Sequence, residues 1–153
     1  MSSSSSTTRI RGSLIPFSYH GHPPFPRQRA MVLPVATVLI VDPDPATRSL
    51  LELLLLRLGH RPIGPREWVE GEEPELLLLE PASKPGLRLA RGVRRRFERL
   101  PILCVSIEGP TKETRELGPV GHVMKPFRRS QLEAALEQAL IPTAGELPVR
   151  QTA

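Results

Sequence analysis

The stretch PELLLLEPAS, residues 74–83, sets four consecutive leucines directly before a glutamate, Glu80. The leucines are too few for a helix and are bounded by Pro74 and Pro81, so the run predicts a short strand. An apolar run without polar alternation is typical of a strand buried on both faces, as in a parallel sheet. Whether Glu80 is more than a solubilising tip depends on how the other apolar runs of the chain end.

Similar short apolar runs alternate with helical patterns along the chain. Four of these runs are predicted as strands, over residues 35–41, 61–63, 102–106 and part of 121–127. Three segments with apolar residues at helical spacing are predicted as helices, over 46–59, 87–100 and 128–140. Gly59 is placed to end the first helix, and Ser130 with Glu133 predicts a capping box for the last. This alternation predicts an α/β fold with a doubly wound parallel sheet.

Four of the predicted strands end on polar residues. The first runs into Asp42, the leucine run into Glu80, the fourth strand into Ser106 and the last into Lys125. In doubly wound sheets, functional groups collect outside the carboxyl ends of the strands. The sequence therefore predicts one site built from these four side chains.

The 153-residue chain divides into three parts by composition. Residues 1–34 are rich in Ser, Pro and Arg without apolar periodicity and are predicted to be a disordered tail. Residues 35–141 are predicted to form the folded domain, and residues 142–153 a flexible C-terminal tail. Met31 lies just before the first predicted strand, so Met1 and Met31 both remain candidate translation starts.

Charge and cysteine content limit the functional class. The tail 1–34 carries four arginines and no acid, which accounts for +4 of the formal net charge of +5, so the rest of the chain is nearly neutral. The only cysteine, Cys104, allows no internal disulfide and fits a reducing compartment. No run is apolar enough to cross a membrane, and no signal peptide is evident. These features predict a cytoplasmic protein without a membrane partner.

Over about residues 36–141 the chain resembles the receiver domain of bacterial two-component response regulators. The resemblance rests on four motifs in the family's order, VLIVDPDPATR (38–48), PELLLLE (74–80), LPILCVS (100–106) and VMKPF (123–127). It implies a flavodoxin-like, five-stranded parallel sheet of order 2-1-3-4-5, flanked by helices. The segments 60–73 and 107–120 are short, so the second and fourth helices of that fold are expected to be shortened.

The resemblance also implies a role for each strand-end residue. In the family, an acidic pair after the first strand holds Mg²⁺, and an aspartate after the third accepts a phosphoryl group from a histidine kinase. A Ser or Thr and a Lys then contact that phosphoryl group. By position, Asp42 corresponds to the first acid, Glu80 to the phospho-acceptor, Ser106 to the hydroxyl and Lys125 to the lysine. His122 falls at the switch position, where a plain strand-end residue is the favoured interpretation.

Two departures from the family bear on the chemistry. Pro43 replaces the second acid and offers no side-chain oxygen, so Mg²⁺ binding through Asp42 is possible but weakened. Glu80 is one methylene longer than aspartate, which displaces the carboxylate that in-line phosphoryl transfer must position. Two interpretations stay open. Glu80 is either a fixed anion that reaches Lys125 and Ser106 in place of a phosphoryl group, or part of a decayed site in which it merely pairs with Lys125.

The sequence therefore predicts a stand-alone, atypical receiver without enzyme activity of its own. Because nothing after residue 141 is long enough for an output domain, its signal is expected to pass through protein contacts around 111–140, with a histidine kinase or a downstream effector. One alternative is a working phospho-receiver with a weakened Mg²⁺ site. Another is a nucleic-acid-associated adaptor that uses the Arg-rich helix. Arg91 and Arg95 are candidates for binding an acidic partner or nucleic acid, but a solvated helix face is the simpler interpretation, and nucleic acid is not the expected partner.

Overall fold

Five parallel strands form one sheet in the order β2-β1-β3-β4-β5. The computed structural model describes residues 35–69 and 72–141, so the two predicted tails lie outside the described residues. The strands are β1 (Thr37–Val41), β2 (Arg61–Ile63), β3 (Leu76–Leu79), β4 (Ile102–Ser106) and β5 (Gly121–Met124). The helices are α1 (Pro45–Arg57), α2 (Lys84–Arg96), α3 (Lys112–Glu116) and α4 (Arg129–Leu140). The predicted doubly wound sheet and its strand order are confirmed.

The leucine run forms β3, the central strand, and its side chains supply both faces of the sheet. Leu76 and Leu78 pack in a core with α1 and α4, whereas Leu77 and Leu79 pack in a second core with α2. All four are at most 1% exposed. Because successive side chains of a strand point to opposite faces, a strand covered on both sides must be apolar at every position.

The helix boundaries differ from the sequence prediction most in α2 and α4, and α2 ends at Arg96, before the predicted residue 100. The helix α2 begins at Lys84, earlier than predicted, because the Ser83 hydroxyl caps it by accepting the Gly86 N–H at 3.2 Å. The helix α4 begins at Arg129, so Ser130 already lies inside the helix and the predicted Ser130–Glu133 capping box is wrong.

The start of α4 is fixed by a different residue. The side-chain oxygen of Gln131 accepts the backbone N–H of Arg128 at 2.7 Å. Gln131, and not Ser130, therefore makes the side-chain contact at the start of α4. Glu133 instead pairs with the Arg129 side chain, one helical turn earlier.

The β2–β3 and β4–β5 connections are short, as the sequence predicted. The fourth helix of the receiver arrangement is reduced to the five-residue α3. The second helix is shorter than expected, because the described part of 64–75 contains only a turn at 65–67. Trp68 covers the sheet there, since its Nε1–H donates to the Glu72 carbonyl at 2.8 Å and its ring meets Phe97 edge-on at 6.5 Å. Within 35–69 and 72–141, no helix is long and apolar enough to span a bilayer.

His60 is a buried polar residue at the opposite end of the sheet from the strand-end residues. Its Nδ1 accepts the Ala36 N–H at 3.2 Å, and its Nε2 is buried without a partner among the described residues. Burial lowers the pKa of His60 below its ordinary value of 6.5. Near neutral pH, the folded chain therefore holds His60 as the neutral imidazole.

Acidification is expected to destabilise the fold through His60. The pKa of His60 is lower in the folded than in the unfolded chain, so protonation of His60 favours the unfolded chain. The free energy of unfolding therefore does not depend on His60 well above pH 6.5 and decreases as the pH falls below that value. The loss is up to about 1.4 kcal/mol per pH unit. Between about pH 7.5 and 5.5, the free energy of unfolding in urea should fall more steeply for the wild type than for His60→Asn. The asparagine amide oxygen keeps an acceptor for the Ala36 N–H but does not titrate. Equal pH slopes in the two proteins would contradict this assignment.

Candidate functional site

The four predicted strand-end residues meet at one rim of the sheet. Asp42 follows β1, Glu80 follows β3, Ser106 ends β4 and Lys125 follows β5. The two carboxylate residues are each 7% exposed, and Ser106 is fully buried. The rim therefore holds a polar cluster, defined here as Asp42, Glu80, Ser106 and Lys125, that is largely shielded from solvent.

Lys125 joins the two acids. Its Nζ lies 2.8 Å from Asp42 Oδ2 and 2.8 Å from Glu80 Oε2. The backbone N–H of Lys125 donates to the Ser106 carbonyl at 2.8 Å, which fixes the start of the side chain beside β4. One ammonium group thus bridges two buried carboxylates.

The second oxygen of Glu80 is also occupied. Glu80 Oε1 accepts the Ser106 hydroxyl at 2.6 Å and the Ala82 N–H at 3.1 Å. The short distance to Ser106 is typical of a hydroxyl that donates to an ionised carboxylate. Glu80 therefore engages the hydroxyl and the lysine at the same time, one with each oxygen.

The two aspartates that follow β1, Asp42 and Asp44, make different contacts. Asp42 Oδ1 accepts the Asp44 N–H at 2.8 Å, so the Asp42 carboxylate is oriented by the chain that follows it. The Asp44 side chain turns away and caps α1, where it accepts the N–H groups of Ala46 and Thr47 and the Thr47 hydroxyl. The hydrogen bonds from Thr47 lower the pKa of Asp44. Asp44 therefore does not replace the acid missing at Pro43.

Hydrogen bonds keep Glu80 and Lys125 charged despite their burial. Burial alone raises the pKa of Glu80, but hydrogen bonds from Lys125, Ser106 and the Ala82 N–H outweigh it, and the pKa is lowered. Burial likewise acts to lower the pKa of Lys125, but its hydrogen bonds to Asp42 and Glu80 outweigh it and raise the pKa. Near neutral pH, Glu80 is anionic and Lys125 is cationic.

Comparison with known proteins places this arrangement in a known fold. Protein-family models and curated proteins gave no match to the sequence. Among solved structures, the chemotaxis protein CheY4 of Vibrio cholerae matches with a TM-score of 0.63 and 22% identity, over 69% of this chain and 99% of that one. The chain has the receiver fold.

Two further matches show how such folds occur in other proteins. The receiver domain of a sensor histidine kinase from Pseudomonas aeruginosa, solved with a magnesium ion in its active-site cleft, matches with a TM-score of 0.59 and 20% identity, over 69% of this chain and 98% of that domain. NtrX from Brucella abortus matches with a TM-score of 0.61 and 23% identity, again over 69% of this chain. The match spans only 26% of the NtrX chain, so the likeness there concerns one domain.

The polar cluster does not fit a Mg²⁺ ion such as the one in the Pseudomonas receiver domain. Magnesium requires several oxygen ligands in near-octahedral geometry. Pro43 offers no side-chain oxygen, and both oxygens of Asp42 and of Glu80 already accept hydrogen bonds. No group of three potential metal-binding side chains occurs in the described part of the chain. The Lys125 ammonium supplies the positive charge between the two carboxylates.

His122 lies in β5, at the predicted switch position. Its Nε2 is 2.8 Å from the Glu108 carbonyl, and its Nδ1 is buried without a partner among the described residues. The ring is half-buried and tied to the loop after β4. This geometry suits a strand residue held by its neighbours, and a switching role for His122 stays a prediction.

The other predicted residues lie away from the polar cluster. Arg91 and Arg95 are exposed on α2 and form no hydrogen bond with it. Cys104 is fully buried in β4, and burial, with the nearby Glu80 charge, raises the pKa of its thiol to about 11. Cys104 is therefore a packing residue.

Sequence reasoning missed three supporting contacts. Arg48 donates to the Asp42 carbonyl at 3.1 Å, the Ala82 N–H binds Glu80, and the Glu108 N–H donates to the Ser106 hydroxyl at 3.2 Å. The two backbone donors carry no sequence signal, because any residue other than proline has an N–H. Arg48 lies six residues after Asp42, on the helix that follows it. This closeness in sequence was the only indication that the two residues make contact.

Removal of the bridging lysine is expected to destabilise the fold strongly. Lys125→Met leaves Asp42 and Glu80 buried without a cation and should lower the free energy of unfolding by about 3–5 kcal/mol at neutral pH. The exposed Lys112 of α3 provides the control, and Lys112→Met should change it by less than about 0.5 kcal/mol. Urea unfolding measures both. A small loss for Lys125→Met would show that the bridge contributes little.

Proposed function

We propose that the chain is a signalling module of the receiver type in which the Glu80 carboxylate stands permanently where a phosphoryl group would be. It has no enzyme activity of its own and acts through contacts with other proteins. A histidine kinase or a downstream effector is the partner class that the receiver fold suggests. The observation that carries the proposal is the simultaneous engagement of Ser106 and Lys125 by the two oxygens of Glu80.

The charge of the polar cluster supports this function. Asp42, Glu80 and Lys125 sum to −1, so the cluster retains one net negative charge without a bound metal. A phosphorylated acceptor presents anionic oxygens to a hydroxyl and a lysine, and Glu80 presents anionic oxygens to the same two group types. In the decayed-site alternative Glu80 only pairs with Lys125, and the 2.6 Å bond from Ser106 is the contact that favours the fixed anion.

A protein contact surface is available on α1. Leu50, Leu53 and Leu56 recur at three-residue spacing and are 47%, 46% and 60% exposed. Neighbouring exposed leucines on one helix face are a feature of helix-in-groove and helix-on-helix contacts. The segment 111–140, where output contacts were expected, exposes only Val120 and Met124 among its large apolar residues. The α1 leucines are therefore the better-supported contact surface.

The rival within the same fold is a working phospho-receiver, and a phosphodonor assay separates the two. Incubation of the wild type with Mg²⁺ and acetyl phosphate should leave the intact mass unchanged, because Glu80 is already hydrogen-bonded and the metal ligands are incomplete. An adduct of about 80 Da that maps to Glu80 would overturn the proposal.

Restoring the family residues provides the matched positive control for that assay. Glu80→Asp combined with Pro43→Asp shortens the acceptor and returns an oxygen ligand for Mg²⁺, so this double variant should gain the adduct. Glu80→Asn combined with Pro43→Asp keeps the restored ligand without an acceptor and should not gain it. The comparison assigns any adduct to position 80.

The fixed-anion role also predicts an effect on local dynamics. Glu80→Gln removes the charge that orders Ser106 and Lys125, so amide hydrogen exchange should accelerate at Ala82, Glu108 and Lys125. A local loss of about 1–2 kcal/mol corresponds to roughly five- to thirtyfold faster exchange. Glu113→Gln, an exposed acid on α3, removes the same charge elsewhere and should leave these amides unchanged. Unaltered exchange at Ala82 and Glu108 in Glu80→Gln would favour the decayed site, in which Glu80 pairs with Lys125 alone.

A further inference from the structure

The outer face of α2 carries a row of cations. The helix reads KPGLRLARGVRRR, with six basic residues and no acidic one. Four of the basic residues share its exposed side, at spacings of four, three and four residues, and they are named here the basic stripe: Lys84, Arg88, Arg91 and Arg95. At a rise of about 1.5 Å per residue, the stripe extends along roughly 16 Å of helix.

The basic stripe is not used by the fold itself. None of its four side chains makes a hydrogen bond or an ion pair with any residue that the structure describes. Arg94 of the same helix shows the contrast, because it turns inward and donates to the carbonyls of Leu117, Glu98 and Leu100 at 2.7–3.1 Å. Arg94 stabilises the loops around α2, whereas the stripe is free to meet a partner.

The surroundings of the stripe indicate the chemistry of that partner. The apolar residues of α2 face the sheet, and no large apolar side chain of this helix is among the exposed ones. Protein interfaces place apolar or aromatic anchors at their centre, and insertion into a membrane surface requires an exposed apolar face. A phosphate backbone requires only cations, and the guanidinium group matches phosphate geometry.

We propose that the basic stripe binds the phosphate backbone of duplex DNA without reading its sequence. Duplex DNA carries about one charge per 1.7 Å, so a 16 Å length presents roughly ten phosphates to the four cations. The helix offers no exposed aromatic side chain for base stacking and no Asn or Gln for base edges, which leaves backbone contacts. This proposal does not depend on the role proposed for Glu80.

The test is the salt dependence of binding by the full-length chain. A fluorescent duplex of about 30 base pairs and mixed sequence is titrated at several NaCl concentrations, and anisotropy gives the association constant. Four phosphate contacts predict a slope of about −3.6 for the logarithm of that constant against the logarithm of salt. Arg91→Gln with Arg95→Gln should reduce the slope to about −1.8 and weaken binding roughly sixtyfold near 0.1 M salt.

The matched control removes the same charge from the other face of the sheet. Arg57 of α1 and Arg128 before α4 are both exposed, and Arg57→Gln with Arg128→Gln should leave the slope near −3.6. Circular dichroism of both double variants verifies that they fold. Equal weakening by the two pairs, or no binding by the wild type at low salt, would overturn the proposal. The proposal would also be overturned if Arg91→Gln with Arg95→Gln weakened binding to polyglutamate or to anionic vesicles but left duplex binding unchanged. That result would assign the surface to another partner.

Discussion

The ammonium group of Lys125, held between two buried carboxylates, is the constraint on which the rim of this fold depends. Asp42 and Glu80 follow β1 and β3, which are neighbours in the sheet, while Lys125 follows β5 at its edge. The lysine therefore ties the ends of three strands, and Ser106 joins the fourth by its bond to Glu80. Two carboxylates this deeply buried would repel each other without that cation.

The extra methylene of Glu80 and the proline at position 43 have related consequences. Under the proposed function, an acceptor aspartate at position 80 would need space for a metal and an incoming phosphoryl group beside it. Glu80 instead extends its own carboxylate to Ser106 and Lys125, and Pro43 contributes no ligand that would draw a metal into competition. Within the polar cluster, every carboxylate oxygen of Asp42 and Glu80 accepts a hydrogen bond from the chain itself.

Much of this could be predicted from the sequence, because strand-end positions in a parallel sheet are fixed by chain direction. The leucine run located the central strand, and four polar strand ends located the rim. The sequence could not show that Lys125 bridges both acids, since this depends on side-chain reach across β4. It also misplaced the cap of α4, where the Gln131 side chain binds the Arg128 N–H in place of the expected Ser130 cap.

The polar cluster is connected to both layers of helices. Asp42 accepts the N–H of Asp44, the residue that caps α1, and Glu80 accepts the N–H of Ala82, directly before the Ser83 cap of α2. The exposed leucines of α1 and the basic stripe of α2 lie on opposite faces of the sheet, yet each helix begins one hydrogen bond from a carboxylate that Lys125 holds. A rearrangement of the Glu80 carboxylate would therefore reach the first turn of α2 directly and that of α1 through Lys125 and Asp42, a route by which one charge at the rim can influence two separate surfaces.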